Sequence, residues 1–302
     1  MTADDAMTRK PWHGILTATT LPLQSDLSID FDAHAAHVAW LAANGTQGVA
    51  VNGSLGEYQT LTPEERARAV TVAVESAPAG FTVMAGTGAY GTAESVRWAE
   101  QAAAAGAQCV MSLPPNAYRG DERAVMQHYR EIAAVGLPVV AYNNPIDTKI
   151  DLLPPLLARL HGAGYIVAVK EFTGDVRRAY ELAELAPGLE LMIGSDDVLL
   201  ELGIAGVVGW VAGYTNAFPV TCGELYRLAV ARDVEAALPL YRLMHPLLRW
   251  DSKTEFVQAI KYSMDMTGRY GGPCRAPRQL LTAEQEASVR SATSAAMANG
   301  AR

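Results

Sequence analysis

Short apolar runs rich in Val and Ile alternate along the chain with longer Ala-rich segments of helical period. The runs lack the polar alternation of a half-exposed strand, and their continuous apolar character indicates strands that are buried on both faces. Strands of this kind belong to a parallel sheet that is covered by helices. The runs span residues 15–19, 48–52, 82–86, 109–113, 139–143, 166–170, 190–194 and 207–212.

Eight strand–helix units predict an α/β protein, namely a (β/α)8 barrel with a C-terminal helical extension. A doubly wound open sheet is the alternative arrangement. Residues 218–297 read as consecutive helices without a strand, interrupted by the Gly- and Pro-rich segment 270–277. We therefore expect a flexible arm over residues 1–10, the barrel over residues 11–230 and a helical cap over residues 231–302.

Composition and charge narrow the classes of partner and location. The net charge is −8 and the basic residues are scattered, which argues against nucleic acid as a partner. No apolar stretch reaches the roughly 18 residues of a membrane span, and the first ten residues lack the apolar core of a signal peptide. Cys109, Cys222 and Cys274 are too widely spaced to suggest a disulfide framework or a zinc knuckle. A cytoplasmic location and no membrane partner are the expectation.

Three other polar features have structural interpretations. His34 and His37 share one helix face, but the sequence shows no third ligand and no H-E-x-x-H pattern, so we expect no metal. The pair Asp196 and Asp197 follows the seventh strand at the start of a helix, which favours a capping role. The Gly-Thr-Gly sequence at 86–88 lacks the lysine and the spacing of a phosphate-binding loop, so it is interpreted as a tight turn.

Candidate catalytic residues stand where the apolar runs end, because reactive groups of a barrel lie at the C-terminal ends of its strands. Lys170 closes the sixth run. Burial of an ammonium favours the neutral amine, which attacks carbonyl carbon. Tyr142 in the fifth run would move protons, and backbone N–H groups of the turn at 53–56 would bind a carboxylate. A strand-end lysine that extends to solvent is the structural alternative for Lys170.

These motifs, in this order and spacing, resemble the dihydrodipicolinate synthase and N-acetylneuraminate lyase family of Schiff-base aldolases and lyases. The resemblance runs from Gly14 to about Arg290. Its landmarks are Gly-Ser-Leu-Gly-Glu at 53–57 with Leu-Thr at 61–62, Gly-Thr-Gly at 86–88, Tyr-Asn-Asn-Pro at 142–145, Val-Lys-Glu at 169–171 and Asn-Ala-Phe-Pro at 216–219.

The resemblance implies a role for each matching residue. Lys170 would form the imine, Tyr142 would be the general acid and base, Ser54 would supply a hydroxyl, and Val211 would offer a backbone contact. The other substrate-binding candidates are Leu55, Gly56, Asn144, Asp147 and Trp210, with Tyr118 at the outer pocket. The family also implies a homotetramer, a small 2-oxo acid as substrate, and a covalent imine in place of any metal or organic cofactor. A strand tryptophan packed in the core is the alternative for Trp210.

The chain departs from the dihydrodipicolinate synthases of this family at three positions. Those enzymes carry two threonines where this chain has Ser54 and Leu55. They carry an arginine where this chain has Asp147, and a carboxylate there would repel a dicarboxylic product. Their relay tyrosine follows the strand-four proline closely, whereas Tyr118 is offset. All three differences argue against the condensation that the dihydrodipicolinate synthases catalyse in lysine biosynthesis.

Within the family, Tyr-Asn-Asn-Pro together with Gly-Trp-Val at 209–211 and Asn-Ala-Phe-Pro resembles the deaminases of 1-pyrroline-4-hydroxy-2-carboxylate, which act in hydroxyproline breakdown. The segment Gly-Gly-Pro-Cys-Arg-Ala-Pro at 271–277 resembles 4-hydroxy-2-oxoglutarate aldolases instead. The deaminase is the prediction. The alternatives are a pyruvate aldolase of the 4-hydroxy-2-oxoglutarate type, a condensation like that of dihydrodipicolinate synthase, and a catalytically silent paralogue that binds a 2-oxo acid.

Overall fold

The computed structural model of the protein describes residues 9–302, and its strands close into one barrel. Eight parallel strands follow one another in chain order, and β8 pairs with β1, so the sheet has no free edge. The predicted (β/α)8 barrel is confirmed, and the doubly wound open sheet is wrong. The strands are β1 Gly14–Ala18, β2 Gly48–Val51, β3 Thr82–Gly86, β4 Cys109–Ser112, β5 Val139–Asn143, β6 Ala168–Glu171, β7 Glu190–Ile193 and β8 Gly209–Ala212.

Burial explains why the strands are apolar without alternation. Every residue of β2, β3, β4, β5, β6 and β8 is buried, because one face packs inside the barrel and the other packs under the helices. The bounds of β3 and β5 are as predicted, and those of the other strands differ from the sequence prediction by one or two residues. The most useful difference is in β6, which includes Glu171 after Lys170. In the β5–β6 register, Lys170 lies directly opposite Tyr142.

Helices surround the barrel and then continue beyond it. Those of the barrel are α1 Phe31–Ala43, α2 Pro63–Ser76, α3 Thr92–Ala105, α4 Glu122–Ala133, the single turn α5 Pro145–Thr148, α6 Pro154–Gly162, α7 Arg177–Leu185, α8 Leu199–Ala205 and α9 Pro219–Val230. Helix α2 begins with a capping box in which Thr62 and Glu65 each accept the other's backbone N–H. Among the helices of residues 9–302, none is both long and apolar enough to cross a membrane.

Three helices form the C-terminal cap, namely α10 Val234–Leu248, α11 Phe256–Met266 and α12 Ala283–Ala298. The expected division at 230/231 falls between the end of α9 and the start of α10. The segment 270–277 lies between α11 and α12, where its glycines and prolines were expected to interrupt the helices.

The predicted flexible arm over 1–10 falls mostly outside the described residues, which begin at Arg9. Arg9 and Lys10 are bound to the barrel. The Arg9 guanidinium donates hydrogen bonds to the carbonyl oxygens of His13, Gln47 and Gly80, and the Lys10 amine donates to Glu190 at 3.0 Å. The prediction of a flexible arm is therefore wrong for these two residues, because carbonyl oxygens and a carboxylate near the N-terminal ends of the strands accept their hydrogen bonds.

A buried ion pair fastens the cap to the turn that follows β2. Lys261 of α11 donates to Glu57 Oε1 at 2.8 Å and to the carbonyl oxygen of Pro273 at 2.7 Å, and both charged side chains are almost fully buried. The other Glu57 oxygen accepts the backbone N–H of Arg275 at 2.9 Å. The Arg275 side chain forms a bidentate pair with Glu65. The cap and the β2 turn are thus held as one unit.

Loss of the Lys261 charge should destabilise the fold strongly. Lys261→Met keeps the length of the side chain but leaves the Glu57 carboxylate buried without its cation, which costs about 3–5 kcal/mol. We expect a lower urea midpoint at an unchanged m-value. Lys253→Met, which removes an exposed lysine of the same cap, is the control. Equal midpoints for the two variants would contradict the assigned role of the ion pair.

Candidate active site

Lys170 ends inside a cavity at the C-terminal mouth of the barrel. The cavity measures about 380 Å³ and lies between the strand ends and the cap. The Lys170 side chain is only 6% exposed, and its Nζ lies 4.0 Å from the centroid of the Tyr142 ring. A glycine on the neighbouring strand end leaves room for it, since a Cβ at Gly194 would meet Lys170 Cγ at 3.0 Å. The alternative in which Lys170 is a strand-end lysine that extends to solvent is therefore wrong.

Burial lowers the pKa of Lys170 from 10.5 to about 8, because the cavity solvates the ammonium poorly. The nearby carboxylates of Asp251, Asp196 and Asp147 act in the opposite direction and raise the pKa. Burial is the larger effect, so the neutral amine is populated near neutral pH. Within residues 9–302, the amine makes no hydrogen bond that would hold its lone pair away from a ligand.

Tyr142 presents its phenol to the same cavity. The phenolic oxygen accepts a hydrogen bond from Asn144 Nδ2 at 3.2 Å, which leaves its own hydrogen available to a ligand. Phe172 packs edge-on against the ring at a centroid distance of 6.1 Å. Burial raises the pKa of Tyr142 well above its ordinary value, and Asp251 and Asp147 raise it further. The phenol therefore stays protonated in the free protein and can donate a proton.

Asn144 ties the phenol to Asp147. Its side-chain oxygen accepts the backbone N–H of Asp147 at 3.3 Å and caps the single turn α5, where Pro145 occupies the first helical position. Its Nδ2 also donates to Asp147 Oδ2 at 2.8 Å. Asn144 and Asp147 both line the cavity. The carboxylate of Asp147 thus lies one amide away from the phenol.

The turn after β2 contributes Ser54 and Leu55 to the cavity wall. It is a single 3₁₀ turn over Ser54–Gly56. Gly56 is buried, does not line the cavity and donates its N–H to the carbonyl oxygen of Gly53 at 3.0 Å. The prediction that Gly56 binds substrate is therefore wrong, because the closure of the turn uses its donor. A ligand carboxylate would meet the N–H groups and the hydroxyl nearer the start of the turn.

Strand β8 turns Val211 toward the cavity and Trp210 away from it. Successive strand side chains point to opposite faces, and only Val211 lines the cavity. The Trp210 indole is fully buried, stacks on Tyr226 of α9 and donates from Nε1 to Asp196 Oδ1 at 2.9 Å. The prediction of Trp210 as a substrate contact is wrong, and its core-packing alternative is confirmed. Tyr118 is 72% exposed and likewise does not line the cavity.

Asp196 is a buried carboxylate that joins the ends of β7 and β8. It accepts hydrogen bonds from the Trp210 indole and from the backbone N–H groups of Gly213 and Tyr214, the latter at 3.0 Å. Burial still raises its pKa to about 6. Asp197 accepts from Ser195 Oγ and Ser252 Oγ. The predicted capping role is therefore wrong for both, because neither side chain accepts a backbone N–H of the helix that follows.

Asp251 is a cavity residue that sequence reasoning missed. It follows α10, lines the cavity and is 6% exposed. Burial raises its pKa well above the ordinary value, and the neighbouring Asp196 adds to the effect. Its position in the cap gave no local signal, because no strand pattern precedes it. Two further cavity residues from the cap, Lys253 and Arg278, carry positive charge.

The histidines considered as metal ligands are bound elsewhere. His37 Nε2 lies 2.9 Å from Asn216 Oδ1, and His34 Nε2 lies 3.3 Å from the carbonyl oxygen of Ala69. Burial lowers the pKa of each imidazole to about 4. Among the described residues, His, Cys, Asp and Glu side chains form no cluster of three or more suited to a metal ion.

The barrel and its cavity define an enzyme of the (β/α)8 class with its reactive groups at the C-terminal strand ends. The family model described as the dihydrodipicolinate synthetase family matches residues 11–296. The chain belongs to this family, and it is therefore an enzyme of the lyase and aldolase type.

Named relatives cover nearly the full length of the chain. A 4-hydroxy-tetrahydrodipicolinate synthase of Methylibium petroleiphilum is 34% identical over 276 residues, covering 91% of this chain and 94% of that protein. The synthase of the same name from Leptothrix cholodnii is 32% identical and covers 93% of this chain and 97% of that protein.

Solved structures have the same fold. A putative dihydrodipicolinate synthetase from Pseudomonas aeruginosa superposes with a TM-score of 0.89 at 30% identity, covering 94% of this chain and 98% of that one. The chloride-inhibited dihydrodipicolinate synthase of Acinetobacter baumannii, complexed with pyruvate, gives a TM-score of 0.90 at 26% identity, covering 95% of this chain and 99% of that one.

Cyanate should carbamylate Lys170 faster than an exposed lysine at neutral pH. Cyanate reacts with neutral amines, and a lysine of pKa about 8 is roughly one-tenth neutral at pH 7, against about one in two thousand for an ordinary lysine. The rate at Lys170 should level off above the pKa. Peptide mass spectrometry, with exposed Lys149 as the internal reference, measures both rates. A rate at Lys170 that keeps rising to about pH 10 would contradict the lowered pKa.

Proposed function

We propose that the protein acts through a Schiff base between the amine of Lys170 and the carbonyl carbon of a small 2-oxo acid. The observation that carries this proposal is the buried amine of lowered pKa, 4.0 Å from the Tyr142 ring and in the same cavity. A neutral amine attacks carbonyl carbon, and a phenol beside it can move the protons that imine formation requires. The pyruvate complex of the Acinetobacter baumannii relative supports the choice of a 2-oxo acid.

The cavity residues suggest how each step would proceed. Lys170 attacks C2, water leaves, and the protonated imine withdraws electrons so that a proton at C3 becomes acidic. Tyr142 carries that proton between C3 and the second reactant. Ser54 and the backbone at the start of the β2 turn hold the substrate carboxylate, and Leu55 and Val211 enclose the methyl end. These steps require no metal and no organic cofactor, since the imine itself withdraws the electrons.

Two observations favour different second steps. The relatives named 4-hydroxy-tetrahydrodipicolinate synthase favour condensation of the imine with an aldehyde, which yields a dicarboxylic product. The cavity favours a substrate with one carboxylate, because Asp147 and Asp251 both line it and repel a second carboxylate. Lys253 and Arg278 of the cap are the cations of the lining that could bind a second carboxylate in an aldol reaction.

On the charge argument, the second candidate is the deaminase of 1-pyrroline-4-hydroxy-2-carboxylate. Lys170 would open the cyclic imine by transimination, and Tyr142 would remove the C3 proton. The phenolic hydrogen of Tyr142 would pass to the C4 hydroxyl as the phenolic oxygen takes the C3 proton, so that the hydroxyl leaves as water. Tautomerisation to an imine at C5 and hydrolysis would then release ammonia and a 2-oxo acid semialdehyde and free Lys170. Cleavage of 4-hydroxy-2-oxoglutarate uses the same imine but breaks the C3–C4 bond and releases pyruvate.

Borohydride reduction with pyruvate should attach a pyruvate-derived group to Lys170. Reduction makes the imine permanent, and peptide mass spectrometry then locates it. Lys170→Ala should abolish both the adduct and turnover, whereas Lys149→Ala, an exposed lysine, should keep both. Wild-type protein that gives no adduct at saturating pyruvate would contradict the Schiff base and favour the silent paralogue.

A substrate panel should separate the second steps. We expect ammonia release from 1-pyrroline-4-hydroxy-2-carboxylate to give the highest kcat/KM, because that substrate carries a single carboxylate. One comparison reaction is pyruvate release from 4-hydroxy-2-oxoglutarate. The other is condensation of pyruvate with aspartate semialdehyde, two substrates that together contain the carbons of 4-hydroxy-tetrahydrodipicolinate. Coupled assays for ammonia, pyruvate release and pyruvate consumption give the three values. Pyruvate chemistry without ammonia release would contradict the deaminase and favour an aldol reaction.

A further inference from the structure

The surroundings of Lys170 are chemically different on its two sides. Strand β6 pairs with β5 on one side and with β7 on the other. The β5 side presents the Tyr142 phenol. Asp196 follows β7, and its backbone N–H contacts Asp251, which lines the cavity and comes from the cap rather than from the barrel. The mechanism above uses the phenol and gives the Asp251 carboxylate no part in proton transfer.

Asp251 is held loosely by protein but faces the cavity. Its Oδ2 accepts one long hydrogen bond, from the backbone N–H of Asp196 at 3.4 Å. Within residues 9–302, Oδ1 accepts none. Asp196 differs, because the Trp210 indole and two backbone N–H groups occupy its oxygens. Of the two carboxylates, Asp251 is thus the one with a free oxygen at the reaction site.

A glycine makes this arrangement possible. A Cβ at Gly213, just beyond β8, would lie 2.7 Å from Asp251 Oδ1 and 3.2 Å from Asp196 Oδ2. Any larger residue there would displace the cap carboxylate from the mouth of the barrel. Gly194 opens space for the Lys170 stem in the same way on the adjacent strand end. The missing side chains at Gly194 and Gly213 thus leave room for the Lys170 stem and for the Asp251 carboxylate at the same end of the barrel.

We propose that Asp251 is a catalytic proton-transfer residue that serves the Lys170 amine from the cap side of the cavity. The Asp251 carboxylate accepts a proton from the Lys170 ammonium across the cavity, through one water. The freed amine forms a bond to C2 and passes a second hydrogen to the carbonyl oxygen, which becomes a hydroxyl. Asp251 then returns the proton to that hydroxyl, the C–O bond breaks, water leaves, and the C=N bond forms. The proton count balances without another reactant. This inference rests on the proposed Schiff base.

The surroundings of Asp251 favour it as a proton acceptor. Burial raises its pKa, so that it is a better proton acceptor than an exposed aspartate. The other titratable groups around the amine are Tyr142 on β5, Asp147 on α5 and Asp196 after β7. Tyr142 stays protonated, and the oxygens of Asp196 already accept from three N–H groups. Asp147 already accepts from Asn144.

The test is the rate at which pyruvate forms an imine with Asp251→Asn, measured by rapid mixing and a borohydride quench. Asn keeps the shape of the side chain but cannot accept the proton. We expect imine formation to slow about 100-fold, the usual size of one general acid–base contribution. Glu255→Gln, which removes a cap carboxylate that does not line the cavity, is the matched control and should keep the wild-type rate.

If Asp251 acted only through its charge, Asp251→Asn would change the rate of imine formation in the opposite direction. Asp251 raises the pKa of Lys170, so its neutralisation alone would increase the neutral amine and speed imine formation below about pH 8. A rate for Asp251→Asn equal to or above the wild-type rate from about pH 6 to about pH 9 would overturn the inference while leaving the Schiff base intact. A wild-type protein without any imine would instead overturn the proposed function, and this inference with it.

A second variant guards against misfolding of the first. Asp251→Ala leaves space for a formate ion, which supplies a free carboxylate at the same place. We expect formate to restore at least about tenfold of the lost imine-formation rate. A correctly folded Asp251→Ala protein, as judged by its circular dichroism, that stays slow at saturating formate would overturn the inference.

Discussion

Burial of one amine at the end of β6 is the constraint on which the site depends. The strands close into a barrel, and the cap covers its C-terminal end, where the Lys170 side chain reaches the cavity. The poorly solvating cavity favours its neutral form, and three carboxylates favour the charged form. The balance leaves an amine that can change its protonation state near neutral pH. Without the surrounding cap, the lysine would be an ordinary solvated cation.

The carboxylates come from three separate parts of the fold, so the pKa of the Lys170 amine depends on how these three parts are placed around it. Asp147 lies on the turn after β5, Asp196 follows β7, and Asp251 belongs to the cap. Asn144 fixes the first, and hydrogen bonds from the Trp210 indole of β8 and from the backbone just beyond β8 fix the second. Substitutions far from the reacting atoms can therefore change the protonation of the amine by displacing a carboxylate.

The sequence was sufficient for the barrel and for the two residues that line up across β5 and β6. Buried parallel strands carry an uninterrupted apolar pattern, and the ends of such strands identify Lys170 and Tyr142. Trp210 was misassigned because a short, all-apolar strand does not reveal which of its residues face inward. Asp251 could not be found, because it reaches the mouth by packing of the cap, and no periodicity encodes that long-range contact.

The cap that supplies Asp251 also occupies the last part of the polypeptide. A ribosome releases all eight strands before it releases the segment that follows α10, and the ion pair of Lys261 with Glu57 must then dock that segment onto a turn made some two hundred residues earlier. During translation, a nascent chain with a complete sheet would still lack Asp251, the carboxylate that the cap adds to the cavity of Lys170. Synthesis order therefore delays completion of the cavity around Lys170 until the C-terminal helices have docked.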